Sequence, residues 1–151
     1  MSTVEFGEPL YEYNLNITGV TEYGVNFAEL ISGKIPPPPE GARFDVAFAG
    51  KATGSKLNGK VVGVDYVYVR ADGRFQLDVH AEITTEDGQN ISLIADGVSN
   101  LRKESSIADL RENVTLFTSS KEYTWLNTIQ IWGIGTVDLA TQEIYIAGYS
   151  I

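Results

Sequence analysis

Apolar and polar residues alternate along most of this chain, and a two-residue period is typical of β-strands that bury one face. Between Pro9 and Ile17 the odd positions hold Pro, Tyr, Tyr, Leu and Ile, whereas the even positions are mostly polar. The same alternation predicts seven more strands, at residues 43–49, 57–70, 74–85, 89–98, 114–118, 123–137 and 143–151. Long strands with few helices need closure or a second sheet to protect their edges. We therefore expect one all-β domain over residues 1–151, and we favour a small antiparallel barrel over a sandwich.

Two segments depart from the strand pattern. Residues 104–113, ESSIADLREN, resemble a helix, because Ser105 or Ser106 could cap it and Ile107 and Leu110 lie one helical turn apart. Four consecutive prolines at residues 36–39 cannot donate hydrogen bonds to a sheet, so they predict a connector at the rim. The barrel is thus expected to carry one short peripheral helix, at residues 104–113.

The dipeptides Asp72-Gly73 and Asp87-Gly88 predict hairpin turns, because both residue types tolerate the positive φ of tight turns. If each loop has two or four residues, Asp65 lies opposite His80. One face of this three-stranded meander then carries four ionisable side chains among apolar ones: Asp65, Asp78, His80 and Glu82. A three-residue loop or a G1 bulge at either turn would shift the side chains by one position and separate this cluster.

The face with four ionisable residues has two interpretations. It is either the solvated side of an antiparallel sheet, or the lining of a lumen whose other residues are apolar. In a lumen, the neighbouring carboxylates would favour the protonated form of His80, the only histidine of the chain. His80 could then act as a general acid or base oriented by Asp65 or Asp78, or fix a polar atom of an apolar ligand.

Composition excludes several classes of function. The chain of 151 residues has a formal net charge of −9 and no cysteine. Nucleic acid is therefore not an expected partner, and disulfides and thiolate sites are excluded. A single histidine and no EF-hand pattern argue against a metal site, and no cofactor motif is present. The amino terminus lacks a signal-peptide pattern and no apolar run is long enough to span a membrane, so we expect a cytoplasmic protein without membrane contact.

Several motifs together resemble the family known as domain of unknown function 3237. They are the pattern Gly50-x-x-x-Gly54-x-x-Leu57-x-Gly59-x-Val61, then Asp65, then RADGRFQLDVHAEITTEDG at residues 70–88 and YTWLNTIQIWGIG at residues 123–135. The resemblance implies a small all-β barrel, calycin-like or allene-oxide-cyclase-like, in a family without an assigned function. It also implies site positions at Asp65, Asp78 and the Trp125-Leu126-Asn127 block. The family favours arginine where this chain has His80, Asp96 and Thr128, so a cationic pocket of the relatives would be weakened here.

The Trp125-Leu126-Asn127 block has two interpretations of its own. In a strand, Trp125 and Asn127 share a face, and an indole beside a carboxamide could form the wall and the polar anchor of a ligand site. A strand tryptophan is more often part of the core.

Three functions stay open at this point. The leading hypothesis is a barrel that binds a small, largely apolar molecule through Asp65, Asp78, His80, Glu82, Trp125 and Asn127. The second is a cofactor-free isomerase, cyclase or lyase that uses His80 with Asp65 or Asp78. The third is a structural subunit of a homo-oligomer, in which the opposite, apolar face of the meander forms the interface.

Overall fold

The computed structural model describes residue 3 and residues 5–150, and it shows a closed antiparallel barrel of eight strands. The strands follow one another around the barrel in chain order, and pairing of the last strand with the first closes it. They are β1 (Tyr11–Glu22), β2 (Ala42–Thr53), β3 (Gly59–Val69), β4 (Phe75–Thr85), β5 (Asn90–Leu101), β6 (Ile107–Phe117), β7 (Ile131–Asp138) and β8 (Glu143–Ser150). The predicted small all-β barrel is confirmed. Ile151, the last residue of the predicted eighth strand, lies outside the described residues.

The barrel carries one short α-helix, as predicted, but in a different place. Helix α1 (Phe27–Ile31) follows β1, and the side chain of Asn26 caps it by accepting a hydrogen bond from Glu29 N at 2.9 Å. The helix predicted over residues 104–113 is wrong, because β6 occupies most of that segment. Its buried residues Ala108 and Leu110 follow the two-residue period of a strand, and the spacing of Ile107 and Leu110 coincided with one helical turn.

Each of the two Asp-Gly hairpins closes with a three-residue loop. Arg70 N donates to Arg74 O at 2.9 Å, and Thr85 N donates to Gln89 O at 2.8 Å. The glycine of each loop is left-handed, with φ of 92° in the first and 85° in the second. A three-residue loop whose third residue has a positive φ is a common hairpin type. Compared with a two-residue loop, it moves the pairing by one residue, so the side chains of the next strand point to the opposite side of the sheet.

Because of this shift, each side chain of β4 points to the side of the sheet opposite to the predicted one. Val64, and not Asp65, is the partner of His80, whose other partner is Ile94. The prediction that Asp65 lies opposite His80 is therefore wrong, because it assumed a loop of two or four residues and the loop has three. The two successive shifts cancel, so β3 and β5 keep their predicted inner faces while β4 turns Leu77, Val79, Ala81 and Ile83 inward.

The two ends of the barrel differ in packing. At the end where β4 finishes and β5 begins, fully buried side chains fill the interior, among them Leu57, Ile83, Ile91, Leu116, Leu126 and Ile131. The short 3₁₀ helix Thr124–Thr128 contributes Leu126 to this end. At the opposite end, α1 packs Phe27 against Phe44 of β2, with ring centroids 4.9 Å apart. A cavity lies beneath α1, in the less densely filled half.

Candidate functional site

The lumen contains a cavity of about 170 Å³ beneath α1. Its wall is apolar over most of its area, with side chains from α1 and all eight strands. The exceptions are four polar residues: Tyr13, Asp65, Ser99 and Glu112. None of the described residues that line it is lysine, arginine or histidine. The cavity therefore combines an apolar wall with two carboxyl groups that have no cationic partner.

Asp65 enters the cavity from the middle of β3, where it lies between Val46 of β2 and Val79 of β4. Its Oδ1 accepts a hydrogen bond from the backbone N–H of Asp78 at 2.9 Å. Burial raises the pKa of Asp65 to about 7, although the Asp78 N–H opposes the rise and the charge of Asp78 adds slightly to it. At neutral pH the side chain is thus poised between its acid and its carboxylate.

Glu112 enters the cavity from β6 and is only 7% exposed. Its strand partners on the two sides are Gly97 and Gly133, so no neighbouring side chain crowds it at this level. A Cβ at Gly133 would lie 3.2 Å from Glu112 Cβ and 3.4 Å from its Oε1. Burial, and secondarily the charge of Asp65, raises the pKa of Glu112 to about 8.

Two tyrosines of β1, Tyr11 and Tyr13, pack next to each other inside the barrel. The rings of Tyr11 and Tyr13 are stacked with centroids 4.4 Å apart, and both side chains are buried. Among the described residues, neither hydroxyl group has a hydrogen-bond partner outside this pair. Burial raises the pKa of both hydroxyls. The hydrogen bond between them opposes the rise in the pKa of Tyr11 and adds to the rise in the pKa of Tyr13, and the charge of Glu112 adds to both. Both tyrosines therefore remain protonated at neutral pH.

Comparison with known proteins places this barrel in a family. The sequence matches the family described as Protein of unknown function (DUF3237) over residues 20–151. The chain belongs to the DUF3237 family. The resemblance inferred from the sequence motifs is thus confirmed.

Similar proteins include both uncharacterised barrels and one named enzyme. Over 85 residues the chain is 35% identical to the hydroalkoxylation enzyme phnH of Penicillium herquei, a match that covers 56% of this chain and 50% of phnH. The chain thus spans about half the length of the curated relative that it matches. A protein of unknown function from Clostridium acetobutylicum has TM-score 0.77 and 20% identity, with coverage of 95% of this chain and 96% of that one. A β-barrel-like protein from Acinetobacter baumannii has TM-score 0.76 and 20% identity, covering 99% and 98%.

Of the four ionisable residues predicted to share a face, only Asp65 points into the barrel. Asp78, His80 and Glu82 lie on the outer face of β4, because of the inverted register. His80 is exposed there, with Nε2 3.2 Å from Asp78 Oδ1 and its ring edge-on to Tyr66 at 5.7 Å. The shared face is therefore wrong as a prediction, and Asp65 is separated from His80 by the wall of the barrel.

The three positions at which this chain departs from the DUF3237 pattern also lie outside the lumen. His80, Asp96 and Thr128 are all exposed, and none of them lines the cavity. The expectation that these positions would weaken a cationic pocket does not apply to this cavity, whose polar groups come from other residues.

The Trp125-Leu126-Asn127 block belongs to the 3₁₀ helix and not to a strand, so its predicted shared face is wrong. Asn127 Oδ1 accepts from Thr118 N at 2.9 Å and its Nδ2 donates to Thr118 O at 2.8 Å. Trp125 is half-buried, with Lys56 Nζ 5.7 Å from its ring centroid. Asn127 thereby ties the 3₁₀ helix to the end of β6, and neither residue lines the cavity.

Glu112 and the tyrosine pair were not among the predicted site residues. Glu112 was missed because its segment was predicted to be a helix, and that prediction did not assign residue 112 to the core side. The signal was present in the two-residue period: Glu112 occupies the same phase as Ala108, Leu110, Val114 and Leu116, all of which are buried. A carboxyl residue in the apolar phase of a strand indicates a side chain that points into the core.

Across residue 3 and residues 5–150, no three His, Asp or Glu side chains are close enough together to hold a metal ion. Within the same described part of the chain, no helix has the length and hydropathy required to cross a membrane.

Proposed function

We propose that this barrel binds a small, largely apolar molecule in its lumen, with Asp65 and Glu112 as its polar contacts. The observation that carries the proposal is the apolar cavity that encloses two carboxyl groups without a cation. Buried ionisable groups cost stability unless they are paired, so their presence in an otherwise apolar lumen favours a binding or chemical role. Of the residues first predicted, Asp65 keeps its role in this proposal, and Glu112 replaces the outward His80.

The size of the cavity limits the ligand. An engineered apolar cavity of about 150 Å³ binds benzene, and this cavity measures about 170 Å³. A molecule with one six-membered ring and a few substituent atoms therefore fits without movement of the barrel. The absence of cationic side chains from the described lining disfavours carboxylate, phosphate and sulfate ligands.

Toluene is a suitable probe of the proposal, since it offers only size and apolarity. We expect calorimetry to detect binding to the wild-type protein and no binding to Ala108→Leu, which fills the lumen from β6. The matched control is Thr115→Leu on the exposed face of the same strand, and it should bind as the wild type does. Equal binding by Ala108→Leu and Thr115→Leu would show that toluene does not occupy the lumen.

A second candidate function is a cofactor-free acid-base enzyme. Two specific observations favour it: the pKa values of Asp65 and Glu112 are raised to about 7 and about 8 in one cavity, and phnH is named a hydroalkoxylation enzyme. Addition of a hydroxyl group across a carbon–carbon double bond moves a proton from oxygen to carbon. Protonated Glu112 would deliver the proton to one carbon while the oxygen bonds to the other, and ionised Asp65 would take the hydroxyl proton.

This candidate can be tested with 2-allylphenol, a single-ring molecule that carries both a hydroxyl group and an alkene. The expected product is its cyclic ether, detected by chromatography. Asp65→Asn and Glu112→Gln should each abolish conversion, whereas His80→Ala should leave it unchanged because the side chain of His80 lies on the outer face of β4. Loss of conversion in His80→Ala with retention in Glu112→Gln would reverse this assignment and restore the histidine as the acid-base residue.

A further inference from the structure

The carboxyl group of Glu112 stands in the lumen without a partner. The residue is only 7% exposed and lines the cavity, and within the described part of the chain its carboxyl group makes no hydrogen bond or ion pair. Unlike the hydroxyl groups of Tyr11 and Tyr13, its oxygens are not closed to water. A carboxyl group that is withdrawn from bulk water and left unpaired costs stability, so a ligand that supplies its partner would recover part of that cost.

Asp65 is the second acidic group of the lining, and it differs from Glu112 in having a partner. Its Oδ1 accepts the hydrogen bond from Asp78 N at 2.9 Å. Strands β3 and β6 lie three positions apart in the ring of eight, so the two carboxyl groups reach the lumen from different parts of the wall. The charge of Asp65 adds to the rise in the pKa of Glu112. The two groups are therefore near enough for both to act on the charge of one ligand.

We propose that Glu112 binds the ammonium group of an amine with a single ring, whose apolar part fills the cavity, and that Asp65 provides a second negative charge nearby. This inference rests on the proposed function, because it assumes that a small, largely apolar molecule occupies the lumen. None of the described lining residues is lysine, arginine or histidine, so a cationic ligand meets no repulsion from the wall.

An ammonium group complements a carboxylate in both charge and hydrogen bonding. The ammonium group has only donors, the carboxylate has only acceptors, and a hydrogen bond between two charged groups is stronger than one between neutral groups. A buried ion pair is favourable only if its attraction repays the removal of both charges from water. Folding has already withdrawn the carboxyl group of Glu112 from bulk water. The ligand therefore adds the desolvation of its own ammonium group and the ionisation of Glu112.

Binding of an amine near neutral pH must release a proton. Burial keeps Glu112 in its acid form up to about pH 8, whereas an alkylamine, like the lysine side chain, is already an ammonium ion there. Pairing converts Glu112 to the carboxylate, and its proton leaves to solvent. The affinity for the amine should therefore rise by about tenfold or more per pH unit between pH 6 and pH 7.

The other titratable groups of the described lining do not oppose this dependence. They are Tyr13 of β1 and Asp65 of β3, since α1 and the remaining strands contribute apolar residues and Ser99. Tyr13 stays protonated, and ionisation of Asp65 near pH 7 adds a favourable negative charge as the pH rises.

The test compares benzylamine with benzyl alcohol, which has the same number of non-hydrogen atoms and no charge. Calorimetry at pH 8 and constant ionic strength should show that benzylamine binds at least about tenfold more tightly. Between pH 7 and pH 6 the affinity for benzylamine should fall by about tenfold, while that for benzyl alcohol stays constant. Titration at pH 7 in two buffers of different ionisation enthalpy should report release of about one proton per benzylamine and none per benzyl alcohol.

The decisive variant is Glu112→Gln, which removes the charge and keeps the size of the side chain. We expect it to weaken benzylamine binding at pH 8 by about tenfold or more and to abolish proton release, while benzyl alcohol binds as before. The matched control is Glu82→Gln, which removes an exposed carboxyl group from the outer face of β4 and should keep the preference. Ala108→Leu, which fills the lumen, should bind neither molecule. The pH dependence and proton release need only the wild-type protein, so they test the inference even if Glu112→Gln does not fold.

The outcomes separate this inference from the function on which it rests. Equal affinity for benzylamine and benzyl alcohol would overturn the amine site and keep the ligand-binding barrel. Benzylamine binding that persists in Ala108→Leu would also overturn it, because the amine would then bind to the acidic outer surface. An unchanged preference in Glu112→Gln would assign the pairing to another carboxyl group and overturn it too. Failure of toluene, benzyl alcohol and benzylamine to bind would overturn both proposals together. A preference and a proton release that Glu112→Gln abolishes and Glu82→Gln preserves support the site.

Discussion

Replacement of the two carboxyl groups that line the lumen should change how the stability of this barrel depends on pH. Asp65 and Glu112 are held in the acid form in the folded protein up to about pH 7 and about pH 8, because burial penalises their charged forms. In the unfolded chain both ionise near pH 4. Between these limits the folded state binds more protons than the unfolded state. Stability is therefore highest at the acid side of this range and falls as the pH rises.

The magnitude follows from proton linkage. Each such group lowers the free energy of unfolding by about 1.4 kcal/mol per pH unit while it is protonated only in the folded state. Between pH 5 and pH 7 both groups contribute, so the wild-type protein should lose about 5 kcal/mol, a large share of the roughly 5–15 kcal/mol of a typical domain. Asp65→Asn should reduce this loss to about half, since one of the two groups no longer titrates. The asparagine can still accept the hydrogen bond from Asp78 N.

Urea denaturation at pH 5, 6 and 7 and constant ionic strength measures this slope, with the fluorescence of the two tryptophans as the signal. Carboxyl groups with a lowered pKa, such as Asp72 and Asp109, lose their stabilising effect only at more acidic pH. They therefore do not contribute to the change in unfolding free energy between pH 5 and pH 7. The double variant Asp65→Asn with Glu112→Gln should show a nearly flat profile, and Glu82→Gln on the outer face of β4 serves as the control. A wild-type profile that is already flat, or an unchanged slope in Asp65→Asn, would refute the reasoning.

Two other substitutions test how the wall and the closed end are built. Gly148→Ala should destabilise the barrel by about 1–3 kcal/mol, because the Cβ of the new alanine would collide with the ring of Tyr11. Thermal unfolding measures this loss, and an unchanged midpoint would contradict the close packing of Tyr11 against residue 148. Asn127→Ala should cost about 1–3 kcal/mol, because the backbone N–H and C=O of Thr118 lose both bonds, whereas the exposed Thr128→Ala should be neutral. Equal urea midpoints for the two variants would show that Asn127 does not anchor the 3₁₀ helix.

The barrel could be predicted from the sequence because closure depends on strand number and alternation, which local residues determine. Which side chains of β4 point into the barrel could not be predicted, because this depends on a difference of one residue in the length of each flanking loop. Asp72-Gly73 and Asp87-Gly88 suit both two-residue and three-residue hairpins, and both types place glycine at positive φ. A single residue in the loop decides whether His80 faces the lumen or solvent. The same ambiguity left the facing of β3 and β5 intact, since the two shifts cancel.

The candidate site was half predictable for a related reason. Asp65 was predicted as one of four ionisable residues on a face whose other members are apolar, and the structure places it in the cavity. Glu112 had the same property, but its strand begins with Ile107 after the loop ESS, and a serine before a turn of apolar spacing is also the pattern of a capped helix. The hydroxyl of Ser105 does accept a hydrogen bond, from Ile107 N at 3.0 Å, yet a strand and not a helix follows. Pairing with β5 and β7 overrides the local signal.

The energetic cost of the two carboxyl groups is itself an argument about function. If the lumen served only as a core, leucine at both positions would avoid a penalty of several kcal/mol near neutral pH and fill part of the cavity. The barrel instead keeps an open volume and two acids without a cation in the lumen. The other end, where Leu57, Leu126 and their neighbours are fully buried, shows that this fold can be packed completely. The unfilled, polar half is therefore best explained as a site, and its stability cost is what the pH profile of Asp65→Asn would measure.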